Sequence, residues 1–407
     1  MKRAFKYRLY PTKEQIAKLQ WTLEQCRKLY NTALAERKDA YNFHVKQHPN
    51  YYDEETRKQL TQELTINYHS QQNQLPEIRQ LREEYQEISS SVLQNVCRRV
   101  NLAMNAFFRR VREHAEEPGY PRFKGKNRYD SITYGGIAGI KVKDRHIRLP
   151  KFEDIRVKFH TPLEGTLKTV TVKREGEHWY IILVCEVDAP EKLPVSYEDV
   201  GIDLGVTHLA ALSNGEIIDH PRYLRKAAKK LEKLQRAKDR KKHGSHRRKK
   251  AAKQLAKAHR KVARQRRDFL HNVSHKLVNR YQVIVFEDLE TANLTKRPKP
   301  KQDENGKHLP NNASAKAGLN KSILDAGWYM FVEMCRYKAE EAGRTLLQVN
   351  PKYTSQTCSG CGAIKKKELS ERWHSCECGT ELDRDVNAAI NILRAGVQPA
   401  PVKRVLC

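Results

Sequence analysis

The spacing of apolar residues predicts a strand and then a helical region at the start of the chain. Residues 4–10 alternate as a β-strand does, and Thr12 with Gln15 three residues later forms a capping-box pattern. From there to residue 117, apolar residues recur at every third or fourth position, which predicts helices with a polar interruption near 43–56. The last of these helices is expected to have an inward apolar face, which is formed by Val92, Val96, Val100, Met104, Phe107 and Val111.

The pattern changes from helical to alternating near residue 118. Short alternating runs of apolar and polar residues over 118–196 predict β-strands, including a hairpin that turns at Glu175-Gly176. Because strands flank the helical region on both sides, we expect a β domain of residues 1–10 and 118–196, with helices 11–117 inserted into it.

A second pattern of strands and helices occupies the rest of the chain. Apolar residues surround a single acid, Asp203, and Asn214-Gly215 is a hairpin turn signal. A short apolar run at 283–286 predicts a buried central strand that ends at Glu287. A helix and a strand at 345–349 are expected to follow.

Two later segments complete the predicted elements. Residues 296–318 are rich in Lys, Pro, Asn and Gly, which predicts a mobile loop. The final helix is expected to begin at Asp385, to turn Ala388, Ala389 and Ile392 inward, and to stop at Gly396.

The net charge of the chain indicates what kind of partner it binds. The chain has 407 residues, and 78 Lys and Arg against 48 Asp and Glu give it a net charge of +30. Residues 222–267 hold 22 of these basic residues and two acids, and a break at His243-Gly244-Ser245 predicts two basic helices. Like charges along a helix repel one another, so these helices favour a polyanionic partner, and we expect nucleic acid. Phosphate contacts are also expected from Arg98, Arg99, Arg109, Arg110 and Arg112.

The sequence contains no apolar run near the ~18 residues that a membrane span needs, and no apolar signal core follows the basic start. We therefore expect no membrane partner, and a cytoplasmic or nucleoid location.

Nine cysteines fall into two groups. Cys26, Cys97, Cys185, Cys335 and Cys407 are scattered, and the first four lie in apolar periodic segments, where they are expected to be core residues in a reducing compartment. The clustered group is Cys358, Cys361, Cys376 and Cys378. Two pairs separated by 14 residues are typical of a zinc ribbon, and four thiolates fill a tetrahedral shell, so we expect a structural Zn²⁺. The second pair is one residue closer than usual, and His374 is an alternative ligand.

Three acids are the candidates for catalysis: Asp203, Glu287 and Asp385. An ionised carboxylate among apolar residues, as at Asp203 and Glu287, is costly unless it is paired or bound to a metal. Asp385 begins the last helix one turn before its inward stripe, whereas Asp383 is expected to cap that helix. Carboxylates from two strands and a helix can hold two Mg²⁺ about 4 Å apart for phosphodiester hydrolysis. The order of elements favours an RNase H-like nuclease core.

Four motifs in these regions carry a family resemblance. They are residues 201–206 (GIDLGV), 286–289 (FEDL), 353–362 (YTSQTCSGCG) and 382–389 (LDRDVNAA). They resemble the RuvC and zinc-ribbon motifs of the TnpB proteins, which are transposon-encoded relatives of the compact type V CRISPR effectors. Residues 5–11 (FKYRLYP) and 121–124 (PRFK) resemble that family's N-terminal signatures more loosely.

The resemblance implies a multidomain α/β fold. Its expected parts are a β-barrel wedge domain (1–10 and 118–196), a helical recognition region (11–117), a RuvC-like nuclease domain (197–353 and 380–407) and an inserted zinc ribbon that binds target nucleic acid (354–379).

The resemblance also implies an activity: RNA-guided cleavage of DNA. The implied partners are a guide RNA from the transposon end and double-stranded DNA with a short adjacent motif. Asp203, Glu287 and Asp385 match the family's Mg²⁺-binding catalytic triad, and the clustered cysteines match its Zn²⁺ ligands.

Three other functions stand beside this one. A non-cleaving RNA-guided repressor is disfavoured because all three acids are present, and no feature favours a transposase that joins DNA ends itself. A compact type V CRISPR effector is the third, and the short chain favours the transposon side.

Overall fold

The computed structural model describes residues 1–42, 66–113, 118–366, 368 and 371–397. It divides the chain into two compact units, Met1–Asp188 and Ala189–Cys407. The predicted interruption at 43–56 and the residue Cys407 lie outside the described residues. In the part that is described, no helix is both long and apolar enough to cross a bilayer.

The first unit is built on an antiparallel sheet of seven strands. They are β1 (Lys2–Tyr10), β2 (Ser131–Tyr134), β3 (Lys141–Val142), β4 (His146–Arg148), β5 (Ile155–Lys158), β6 (Thr166–Glu175) and β7 (His178–Glu186). Their order is β2-β6-β7-β1-β5-β4-β3, and β6 and β7 form the hairpin predicted at Glu175-Gly176. Since β2 and β3 are its two edges, strand pairing does not close the predicted barrel within the described residues.

The helices of the first unit lie between β1 and β2 in the chain. They are α1 (Lys13–Tyr41), α2 (Tyr68–Asn73), α3 (Leu75–Leu81) and α4 (Ser90–Arg112). The predicted capping box starts α1: the Gln15 N–H donates to Thr12 Oγ1 at 3.3 Å, and the Thr12 N–H donates to Gln15 Oε1 at 3.0 Å. The inward stripe of α4 is buried from Val92 to Met104. Val111 was expected to continue it, but it lies in the last turn, beyond the buried stripe, and is exposed.

Two of the arginines expected to contact phosphates bind the protein itself. Arg99 donates to the Ser131 carbonyl at 3.0 Å and to Thr133 Oγ1 at 2.8 Å, which ties α4 to β2. Arg110 donates to the carbonyl of Pro118 at 2.6 Å. Carbonyl and hydroxyl groups of the protein thus engage donors of both side chains, and their contact with phosphates stays a prediction.

The scattered cysteines of the described chain are core residues, as predicted. Cys26, Cys97, Cys185 and Cys335 are buried. Burial raises the pKa of the Cys26 and Cys335 thiols to about 12 and that of Cys97 to about 11. These thiols are therefore protonated and unreactive near neutral pH.

The second unit contains a mixed sheet of five strands. They are β8 (Asp199–Leu204), β9 (His208–Leu212), β10 (Ile217–Asp219), β11 (Val283–Glu287) and β14 (Thr345–Val349), in the order β10-β9-β8-β11-β14. The first three form antiparallel pairs, of which β9 and β10 turn at Asn214-Gly215, whereas β11 is parallel to both β8 and β14. The short hairpin of β12 (Lys301–Gln302) and β13 (His308–Leu309) lies between β11 and β14 in the chain.

Six helices accompany this sheet in the described residues. They are α5 (Tyr223–Asp239), α6 (His246–Arg280), α7 (Thr291–Leu294), α8 (Ala313–Ala326), α9 (Trp328–Ala342) and α10 (Arg384–Val397). The predicted basic helices are α5 and the first part of α6, which contact each other and bury Leu231, Leu255 and Val262. The loop predicted at 296–318 is wrong in extent: α8 begins at Ala313, because three alanines favour helix more than the Asn and Gly residues oppose it.

The two faces of the five-stranded sheet pack against different helices. Ile202 and Phe286 share one apolar core with α6 and α9, and the rings of Phe286 and Phe331 meet edge to face at 5.7 Å. Helix α10 covers the other face. A Cβ on Gly201 would lie 2.1 Å from the Ala389 carbonyl oxygen, and one on Gly396 would lie 2.6 Å from the Val285 methyl carbons.

Gly396 was expected to stop the last helix, and this was wrong. It is a residue of α10, which continues to Val397, and it allows the helix to approach β11 closely. A glycine at the end of an amphipathic pattern serves either role, and only the packing distinguishes them.

Candidate active site and metal centre

Asp203 and Glu287 lie side by side on the face of the sheet that α10 covers. In the parallel pair β8 and β11, Gly201 is opposite Val285 and Ile202 is opposite Phe286, so the same register continued by two positions from Gly201 brings Asp203 opposite Glu287. Alternate residues of a strand point to the same face, and Gly201 and Val285 both face α10. The two carboxylates therefore also face the α10 side.

The third acid, Asp385, lies in the first turn of α10. Asp383 accepts hydrogen bonds from the backbone N–H groups of Asp385 at 2.8 Å and Val386 at 3.2 Å, which is the capping role predicted for it. The Asp385 side chain is thus left for other partners and lies 3.4 Å from Arg384 Nε and 4.0 Å from Arg372 Nη1.

The other two acids both act on the carboxyl group of Asp203. Burial raises the pKa of Asp203 well above its ordinary value, and the charges of Glu287 and Asp385 raise it further, while Arg384 acts in the opposite direction. Burial also raises the pKa of Glu287, which is 8% exposed, and the hydrogen bond from Thr354 partly offsets this.

Divalent cations fit this set of oxygen ligands. Clustered carboxylates repel one another, and a hard cation such as Mg²⁺ removes that repulsion. The described part of the chain gathers no three carboxylates within 4.8 Å of one another.

A cleft opens at the C-terminal end of β11. It has a volume of about 340 Å³ and is lined by residues that include Leu204, Glu287, Trp328 and the largely exposed Tyr329. Glu287 is the one member of the acid set that lines it, and Leu204 and Trp328 belong to the α9 side of the sheet.

The four clustered cysteines form a second ligand set. Their sulfur atoms all lie within 4.8 Å of one another, with 3.6 Å between Cys358 and Cys378 and 3.6 Å between Cys361 and Cys376. Sulfurs around a tetrahedral Zn²⁺ are about 3.8 Å apart, given Zn–S bonds of about 2.3 Å. The short spacing of the second pair is accommodated, so the residues fit a structural zinc ion.

His374 is not part of this four-sulfur set, although it is buried beside it. Burial raises the pKa of the Cys358 thiol, but backbone N–H donors and hydrogen bonds with His374 and Cys376 outweigh this and lower it to about 5. Cys358 is therefore prepared as a thiolate, and His374 supports a ligand rather than replacing one.

Hydrogen bonds join the cysteine region to α10. The fully buried Asn387 accepts from the Ser359 N–H at 2.9 Å and donates to the Thr357 carbonyl at 2.8 Å. Asn391 donates to the carbonyls of Thr354 at 2.9 Å and Thr357 at 2.8 Å. Neither residue was assigned a role from the sequence, although polar side chains at positions 387 and 391, one helical turn apart, were a signal that α10 has a polar partner.

Comparison with known proteins agrees with this arrangement. A "Putative RNA-guided DNA endonuclease" of Streptomyces pristinaespiralis is 34% identical over 406 residues, which cover 98% of this chain and 90% of the relative. The "Putative RNA-guided DNA endonuclease InsQ" of Escherichia coli K12 is 32% identical, over 97% of this chain and 92% of the relative. The chain belongs to the TnpB family.

Family models and one solved structure match parts or all of this TnpB protein. A "Probable transposase" model matches residues 182–298, a "Cas12f1-like, TNB domain" model matches 328–392, and a "Helix-turn-helix domain" model matches 1–46. The protein in "Cryo-EM structure of the Cas12f1-sgRNA-target DNA complex" has a TM-score of 0.53 and 13% identity, over 96% of this chain and 98% of that one. This likeness shows a compact Cas12-like α/β fold.

Proposed function

We propose that this protein is an RNA-guided DNA endonuclease encoded by a transposable element. The observation that carries the proposal is the convergence of Asp203, Glu287 and Asp385, from β8, β11 and α10, beneath one face of the sheet. The printed names of full-length relatives at 34% and 32% identity support it. An RNA-guided DNA endonuclease acts with a guide RNA on a DNA target, so a guide RNA and double-stranded DNA are the proposed partners.

The five-stranded unit is proposed as an RNase H-like RuvC nuclease core. Its antiparallel β10-β9-β8 half and parallel β8-β11-β14 half give the order expected for such a core, with a helix on each face. The seven-stranded unit is proposed as the wedge domain, and the helices between β1 and β2 as the recognition region. The cysteine region, 354–379, is proposed as the zinc ribbon that contacts target nucleic acid.

Asp203, Glu287 and Asp385 would hold two Mg²⁺, and the four cysteines would hold one Zn²⁺. Bound Mg²⁺ supplies a more acidic water and stabilises negative charge on a phosphodiester. The chain's own contribution is to keep the carboxylates on rigid elements, with Asp203 fixed by the β8–β11 register and Asp385 by the Asp383 cap. Four cysteine ligands would leave no open coordination position on the Zn²⁺, so its proposed role is structural.

The test is reconstitution of the full chain with its co-purified RNA, Mg²⁺ and a matching DNA duplex. We expect cleavage that Asp203→Ala reduces by at least about 10³-fold while guided binding stays within a few fold, because losing a metal ligand affects the charged transition state most. Asp219→Ala, which removes an acid with an 86% exposed side chain from the same unit, is the matched control and should cleave normally.

Other outcomes favour other functions. Guided binding without cleavage by the unaltered protein would identify a repressor. Joining of DNA ends without RNA would identify a transposase, and co-purified RNA from a repeat array would identify a CRISPR effector.

A further inference from the structure

Glu287 has a buried hydrogen-bond donor that lies in the motif of residues 353–362 but was assigned no role from the sequence. Thr354, 8% exposed, donates its hydroxyl proton from Oγ1 to Glu287 Oε1. The same oxygen lies 3.1 Å from the Pro351 carbonyl, but a hydroxyl has one proton and gives its stronger hydrogen bond to a carboxylate. One carboxylate oxygen of Glu287 is therefore engaged by the protein.

Thr354 is held in place by the helix that carries Asp385. Asn391 of α10 donates to the Thr354 carbonyl at 2.9 Å, and both Asn391 and Asn387 donate to the Thr357 carbonyl at 2.8 Å. The residue before Thr354, Tyr353, has a φ of 66°, a left-handed conformation that a tyrosine adopts only when its surroundings impose it. The position of Thr354 is thus set by its attachment to α10 and not by local backbone preference.

We propose that Thr354 is a positioning residue that fixes the Glu287 carboxylate so that its other oxygen is presented to a divalent cation. The inference rests on the proposed function, because it assumes that Glu287 is a metal ligand. A glutamate has three rotatable side-chain bonds, and a hydrogen bond to one carboxylate oxygen restricts the orientation of the other. Outer partners of this kind typically change metal affinity by about 10- to 100-fold.

Thr357 provides a matched control within the same segment. Its hydroxyl donates to the Tyr353 carbonyl at 2.9 Å, so Thr357→Val removes a hydroxyl of the same kind that reaches no catalytic acid. Thr354→Ser keeps the donor, and Thr354→Val replaces it with a methyl group of similar size.

The experiment measures Mn²⁺ binding to the zinc-loaded full chain by electron paramagnetic resonance, and DNA cleavage as a function of Mg²⁺ concentration. For Thr354→Val we expect both midpoints to rise by about 10- to 100-fold, with most of the maximal cleavage rate recovered at saturating Mg²⁺. Thr354→Ser and Thr357→Val should match the unaltered protein. If Thr354→Val does not fold, Thr354→Ala takes its place, because it removes the hydroxyl without adding a methyl group. The same rise in both midpoints is then expected.

A double variant separates positioning from general packing. If Thr354 acts through Glu287, Thr354→Val will not raise the Mn²⁺ midpoint further in a Glu287→Gln background. An unchanged Mn²⁺ midpoint in Thr354→Val, or an additional loss in the double variant, overturns the inference. If the unaltered protein has no Mn²⁺ binding that Asp203→Asn weakens, the proposed function fails instead.

Discussion

Two effects raise the pKa of Asp203. Burial and the neighbouring carboxylates both disfavour its ionised form, so its pKa in the folded chain is raised well above the value of about 3.9 for an unfolded aspartate. Between these two values the folded chain binds more protons than the unfolded chain. Stability therefore falls as the pH rises through this window when no divalent cation is present.

Asp203→Asn should remove this pH-dependent penalty. In buffer without divalent cations, and with zinc retained, we expect the variant to gain stability over the unaltered protein, with a larger gain at pH 8 than at pH 5. Urea unfolding at both pH values measures it, and Asp219→Asn is the control. A gain of equal size at both pH values would show that Asp203 does not titrate as the geometry requires.

Residues differ in how well their roles can be predicted from sequence. Asp203 and Glu287 were identifiable because an acid in an apolar run is unusual wherever it occurs. Thr354 and Asn387 were not, because their partners are a carboxylate and backbone groups brought close only by tertiary packing. The protein partners of Arg99 were not identifiable for the same reason: its carbonyl and hydroxyl acceptors belong to a strand more than thirty residues away.

At the scale of elements, α10 joins the two ligand sets. One end presents Asp385 to the acids, the middle holds the cysteine region through Asn387 and Asn391, and its inner face lies against Gly201. Apolar spacing predicted this helix and its inward residues. The closeness of its approach was not predictable, because a glycine in a strand can indicate a bulge, a bend or a close neighbour.

Gly201→Ala should therefore displace α10. The new Cβ would lie 2.1 Å from a backbone oxygen, which cannot move without the helix. We expect a loss of about 3 kcal/mol in the free energy of unfolding, and weaker cleavage because Asp385 moves with α10. Urea unfolding and the cleavage assay measure these effects.

Gly318→Ala is the control for this substitution. Gly318 lies within α8, and its added Cβ would have no atom within 4 Å. Alanine there should stabilise the protein by about 0.5–1 kcal/mol. If both alanines had the same effect, close packing at Gly201 would not be the cause.

At the scale of the whole molecule, the uneven charge is the property that sequence predicted most directly. A count of charges does not depend on the fold, so the excess in 222–267 and its division into two helices could be inferred without a structure. Which cations are free for a partner does depend on the fold. Arg248 donates to the Lys241 carbonyl at 2.9 Å, and Arg266 pairs with Asp325 of α8 at 2.5 Å, so both have partners within the protein.

The exposed lysines of α5 are expected to bind RNA phosphates. Lys226, Lys230 and Lys233 are exposed on this helix, and each phosphate contact releases a counterion. Changing all three to Gln should weaken binding of the co-purified RNA and reduce the slope of log affinity against log salt by about 2 to 3. The control triple, Lys301, Lys307 and Lys321 to Gln, changes net charge equally at exposed positions elsewhere in the same unit. Screening by salt depends on total charge, which changes equally in both variants, whereas counterions are released only where a lysine contacts a phosphate. An equal change of slope in the two variants would therefore show that the RNA does not bind α5.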